Sequence, residues 1–81
     1  METLTVEIPE TVRHALKRTP EEMARDMRLY SALMLFRQGK LSSGAAAALA
    51  GIPRVLFFDV CAEHDIPVSQ ITPEELTQEL D

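Results

Sequence analysis

A mainly α fold is predicted for this chain: a helix-turn-helix helical domain with a short N-terminal β-strand and a candidate second short strand near 66–71. Three observations lead there. Residues 43–62 hold two short helical patterns that meet at Gly51. Residues 19–38 hold one long pattern with apolar side chains at helical spacing. Residues 3–8 instead alternate apolar and polar side chains, which is the period of a strand.

The helical pair comes first because its spacing is the most informative. Ala46, Ala47 and Ala50 fall on one side of the first pattern, and Ile52 lies just past the turn. Phe57 and Val60 fall on one side of the second. Small residues let two helices cross closely, a glycine makes the sharp turn, and apolar anchors hold the angle. Alanine-rich segments also build plain helical hairpins, so the spacing defines a shape before it defines a ligand.

In chain order, Leu4, Val6 and Ile8 alternate with Thr3, Thr5 and Glu7, giving a strand over residues 1–8 with one apolar face. A lone strand leaves backbone groups unpaired. Its partner is either the same strand of a second subunit or residues 66–71. Pro9 ends the strand and opens a short helix over 9–18, with Val12, Ala15 and Leu16 on one face and Arg13, Lys17 and Arg18 on the other. So short a helix is marginal without packing.

Thr19-Pro20-Glu21-Glu22 then combines an N-cap, a proline at the first helical position and a glutamate at the capping-box position. The helix is expected to run to about Gln38, with Gly39 ending it. Met23, Met27, Tyr30 and Met34, together with Leu29, Leu33 and Phe36, give it a broad apolar face. Its three methionines are read as filling a small core in preference to lining a cofactor or peptide groove. Leu41 is expected to pack inward, and Ser42 or Ser43 to cap the next helix. Beyond the helical pair, His64-Asp65 closes the pattern and Ile66-Pro67 reads as extended. Val68 and Ile71 suggest a short strand or arm. Thr72-Pro73-Glu74-Glu75 repeats the start signal of Thr19 and opens an acidic closing helix with Leu76 and Leu80 on one face.

A length of 81 residues sets one small domain. An apolar share of 46% with 26% charged residues suits a globular protein and not a disordered one. A core this small leaves apolar surface uncovered, so a homodimer is expected, formed either by pairing the amino-terminal strands or by packing the helix from Met23 to Phe36. Cys61 has no second cysteine to pair with, which fits a reducing compartment. There is neither a run of about 18 apolar residues nor the basic-then-apolar pattern of a signal peptide. The expected location is therefore cytoplasmic, with no membrane association. The net charge of −5 argues against a nucleic-acid partner at first sight. However, residues 1–64 carry eight acidic and eight basic side chains, and the whole excess lies in Asp65, Glu74, Glu75, Glu79 and Asp81.

No enzyme constellation stands out, and no cofactor, metal or small-molecule substrate is expected. Cys61 and His64 are three apart, but one cysteine and one histidine do not make a four-ligand zinc site. A Cys-His nucleophile needs oxyanion donors and an orienting group, and none can be named. The pair reads as a small buried thiol beside a helix-end histidine. Gly39, Gly44 and Gly51 lack the lysine and spacing of a phosphate-cradling loop.

The turn and first residues of a second motif helix normally enter the major groove. Here those positions are Pro53, Arg54, Val55, Phe58 and Asp59. Arg54 can bond guanine or a phosphate, and Val55 can touch a thymine methyl. Arg37 and Lys40 can supply further phosphate contacts. A small DNA-binding regulator is one expectation. The other is a module that binds a protein and no DNA, with Phe58 in the interface and Glu74, Glu75 and Glu79 engaging a basic partner.

Several blocks of the sequence carry a resemblance. Leu35-Phe36-Arg37-Gln38-Gly39-Lys40-Leu41-Ser42 follows the predicted strand and precedes Gly44-x-Ala46-Ala47, Gly51-Ile52-x-Arg54, Phe57 and Ile66-Pro67-Val68. With these the chain resembles a family of short uncharacterised prokaryotic proteins often regarded as antitoxins of toxin–antitoxin pairs. The resemblance spans nearly the whole chain and is most specific over residues 35–57. It implies a small DNA-binding or regulatory protein that neutralises a toxin protein. Two positions depart from the family, which usually has serine or threonine at Pro53 and a charged residue at Val55. Both departures count against direct base reading.

Overall fold

The computed structural model describes residues 2–68 of the chain. They form four helices: α1 (Glu10–Leu16), α2 (Pro20–Arg37), α3 (Ser43–Ala50) and α4 (Arg54–Glu63).

The strand expected over residues 1–8 is not formed in the described part. Residues 2–9 carry no strand, and Leu4 and Val6 are 84% and 61% exposed. A strand exists only when a second one takes up its N–H and C=O groups, and no described segment offers it an edge. Alternation specifies an apolar face, not what covers it. The second strand, near 66–71, is not formed over 66–68 either. There Ile66 is buried against the core, and its N–H donates to the Cys61 carbonyl at 2.9 Å. Residues 69–71 and the expected acidic helix beyond them lie outside the described residues.

Helix α1 has no buried residue and ends at Lys17, which takes a left-handed conformation (φ 54°). Helix α2 starts on a capping box. The Thr19 hydroxyl accepts from the Glu22 N–H at 3.2 Å, and a Glu22 carboxylate oxygen accepts from the Thr19 N–H at 3.1 Å. Arg18 ties this start together through ion pairs to Glu22 at 3.0 Å and Asp26 at 3.3 Å. That arrangement raises the guanidinium pKa, chiefly through its hydrogen bond to Glu22. The Thr19 N–H, then Arg18, hold the Glu22 carboxyl below the usual carboxylate range.

The core sits where α2, α3 and α4 meet. Ala32, Leu33 and Phe36 of α2 pack with Ala46, Ala47 and Ala50 of α3 and with Phe57 and Cys61 of α4. Three alanines in a row of contacts bring the α2 and α3 backbones close, while Phe36 and Phe57 meet edge to face with centroids 5.4 Å apart. Such a pair adds about 1 kcal/mol beyond the area it buries. The apolar face of α2 is narrower than its spacing suggests. Met23 is buried, but Tyr30 and Met34 are about half exposed and do not fill the core. The wedge of α3 occupies one side of α2 only, so apolar positions a third of a turn away are left facing outward.

Of the two candidate caps, Ser42 is the one that caps α3, its hydroxyl accepting from the Ala45 N–H at 3.1 Å. Ser43 is fully buried beside it. Helix α3 stops at Gly51, whose φ of 76° is accessible to glycine at little cost. The N–H groups of Gly51 and Ile52 both donate to the Ala47 carbonyl, at 2.9 and 3.1 Å. After Gly51-Ile52-Pro53 the chain enters α4, and the axes of α3 and α4 make an angle of 91°.

Candidate nucleic-acid interface

The right angle between α3 and α4 brings the amino-terminal turn of α4 to the surface. Pro53 precedes the helix in an extended conformation and makes no side-chain cap hydrogen bond. Arg54, the first helical residue, is half-buried and lies over the Phe58 ring, 5.9 Å from its centroid. The i, i+4 spacing lets the guanidinium shield an aromatic face that is itself half-buried. Val55 is 72% exposed and Leu56 about half exposed, so two apolar side chains flank Arg54 on the outer side. Phe57 points the opposite way and is fully buried. Asp59 is exposed on the next turn.

Arg37 and Lys40 are exposed at the end of α2. Arg37 joins Tyr30, Leu33, Met34, His64 and Ile66 around an open groove of about 220 Å³. His64 and Ile66 follow α4, whereas Arg54 opens it, and a ten-residue helix separates its ends by about 15 Å. Arg37 is therefore placed beside the carboxyl end of α4, while Arg54 stands at its amino end. Phe58, the residue expected at a protein interface, is half-buried and carries Arg54 over its ring. Glu74, Glu75 and Glu79 lie outside the described residues.

Cys61 is fully buried, and burial pushes its thiol pKa up, away from the reactive thiolate. His64 caps the end of α4 and meets Tyr30 edge to face, with ring centroids 5.8 Å apart. Among the described residues, no three His, Cys, Asp or Glu side chains gather as metal ligands. No single described helix is long and apolar enough to cross a membrane.

One side chain bearing on this region escapes the sequence reading. Arg28 of α2 donates from Nε to the Leu49 carbonyl near the end of α3 at 2.8 Å, and its guanidinium lies over Gly51. It thereby ties the turn before Arg54 to the long helix. A signal for it exists: Arg28 is spaced by fours with Ala32 and Phe36, so a cation occupies the stripe that packs on α3. A cation there is placed to meet the carbonyl end of a neighbouring helix.

The described residues thus define a small, mainly helical protein built on a three-helix core with a right-angled final pair. The chain belongs to UPF0175, an uncharacterised protein family that it matches over residues 1–81. It is 31% identical over 78 residues to a UPF0175 protein of Aeropyrum pernix, a match covering 96% of this chain and 82% of that relative. No solved structure matches it.

Proposed function

We propose that this chain is a small, cytoplasmic, DNA-binding transcriptional regulator of the antitoxin type, with α3 and α4 as its helix-turn-helix and α4 as the helix presented to the major groove. The observation that carries this reading is the 91° angle across a three-residue turn, with Arg54 as the first residue of α4. That angle lies in the range used by helix-turn-helix pairs. Arg54 bonds a base edge or a phosphate, Val55 touches a thymine methyl, and Arg37 and Lys40 contact phosphate farther along the backbone. Pro53 supplies no hydroxyl cap, so a phosphate oxygen can take the first-turn N–H groups of Val55 and Leu56.

The test is a fluorescence-anisotropy titration with duplex DNA from the protein's own upstream region, at several salt concentrations. Saturable binding that weakens as salt rises is the expected result. Absence of binding at low salt, with helical circular dichroism intact, would overturn the reading.

A second reading is a protein-interaction module or antitoxin that binds a basic partner, such as a toxin protein, and no DNA. It is favoured by the exposed Val55 and Leu56 on the turn that otherwise meets DNA, and by the acidic excess of Glu74, Glu75 and Glu79. It requires that truncation after Val68, which keeps the buried Ile66, abolish capture of that partner.

A further inference from the structure

We infer that residues 3–8 are a pairing segment for a second copy of this chain, forming a two-fold antiparallel β-ribbon centred on Val6. The starting point is a mismatch between pattern and surroundings. By their alternation Leu4, Val6 and Ile8 would share one face of a strand, yet Leu4 and Val6 are 84% and 61% exposed while Ile8 is half-buried. The next element repeats the mismatch. Helix α1 buries nothing, and Val12 and Leu16, one turn apart on one face, are 43% and 56% exposed. The two apolar surfaces are joined by Pro9 alone. A two-stranded ribbon needs cover on one face to persist in water, and the Val12–Leu16 face of each copy supplies it.

The occupant follows from self-complementarity. In an antiparallel pair, residues directly opposite point to the same face of the sheet. Centring a two-fold pair on Val6 sets Val6 against the second copy's Val6, Leu4 against Ile8 and Ile8 against Leu4. All three apolar residues of each copy then fall on one face. On the other face Thr5 stands opposite Glu7, so no two glutamates face each other. Moving the centre to Thr5 sets Ile8 against Glu2, and moving it to Glu7 sets Glu7 against itself; like charges directly opposite destabilise a ladder. The register centred on Val6 satisfies both faces, and the pairing also takes up the inward-facing half of the backbone groups that residues 3–8 otherwise leave to water. It does not depend on what α4 contacts.

The test uses the full-length protein and two readouts. By sedimentation, the wild type is expected to have the mass of a dimer. Val6→Glu is expected to halve that mass with helical circular dichroism unchanged, since Val6 is 61% exposed and lies outside the core cluster of the single chain. The second readout is disulfide trapping in a Cys61→Ala background. Val6→Cys should oxidise almost completely to a covalent dimer, because directly opposite Cα atoms in an antiparallel pair lie about 4.5–5.5 Å apart, within reach of a disulfide. Leu4→Cys alone should trap poorly, since two copies of position 4 are about 13 Å apart along the ribbon at about 3.3 Å per residue. Leu4→Cys mixed with Ile8→Cys should trap well. A monomeric wild type, a dimer untouched by Val6→Glu, or trapping at position 6 no better than at position 4 would each overturn the inference.

Discussion

Arg28 reaches from the middle of α2 to the far end of α3, where its Nε donates to the Leu49 carbonyl over 2.8 Å. The bond satisfies one of the carbonyls that every helix leaves open at its end and sets a cation against the negative end of α3. A Cβ at Gly51 would stand 3.3 Å from Nη2 of the same guanidinium. Arg28 and Gly51 therefore fix together how the chain leaves α3 for α4.

Their substitutions are expected to interact. Arg28→Ala should lower unfolding free energy by about 1 kcal/mol, the usual net worth of one hydrogen bond that water can partly replace. Gly51→Ala should lower it by about 1–2 kcal/mol through the left-handed φ of 76°, and further by displacing Arg28. Because displacement already sacrifices the Leu49 bond, the double variant should lose less than the sum of the two. Urea melts of the four proteins measure this coupling.

The alanine wedge sets a second expectation. Ala46 is fully buried where α2 and α3 cross. Ala46→Leu should destabilise the fold by about 1–3 kcal/mol, since a packed crossing has no room for three added carbons. Phe57→Ala should cost more, about 3–5 kcal/mol, which is comparable to the whole stability of a small domain. Thermal melts by circular dichroism separate the two.

Acid should weaken the start of α2. The Thr19 N–H and Arg18 hold the Glu22 carboxyl below the usual carboxylate range. A depressed carboxylate contributes stability that is present above its unfolded pKa and lost as pH falls through its folded pKa. Wild type should therefore exceed Glu22→Gln in melting temperature at neutral pH, and the two should converge as pH drops below the carboxylate range. A gap that persists in acid would contradict the assignment.

Cys61 should be inert in the folded protein. It is fully buried and its thiol pKa is raised by burial. Modification by a disulfide reagent should be slow in buffer and accelerate as denaturant opens the core. Fast labelling without denaturant would place the thiol outside the core.

If α4 meets DNA, Arg54→Ala and Arg37→Ala should differ in kind. Loss of a phosphate contact at Arg37 should weaken binding to all sequences and reduce the salt slope by about 1. Loss of a base contact at Arg54 should cost about 1–3 kcal/mol on the specific duplex and little on an unrelated one. Titrations of both variants on both duplexes check this.

The local chemistry of the sequence determined a good deal. Thr19-Pro20-Glu21-Glu22 starts α2 because a hydroxyl, a proline and a carboxylate satisfy that end whatever packs later. Gly51 ends α3 because only glycine takes its φ cheaply, and the buried positions Ala46, Ala47, Ala50 and Phe57 follow from apolar spacing. What depends on a distant neighbour was decided by the tertiary structure alone. Residues 3–8 have the period of a strand but no described partner within the chain, so the single chain forms no strand there. Tyr30 and Met34 share the helical spacing of core residues, yet α3 covers only one side of α2. Arg37 and Arg54 are both cations of the same expected site, but packing sets them at opposite ends of α4. Arg28 meets Leu49 across 21 positions of chain, a distance over which spacing carries no information. Caps and turns are short-range and can be read from neighbouring residues, whereas pairing and exposure depend on which surfaces meet.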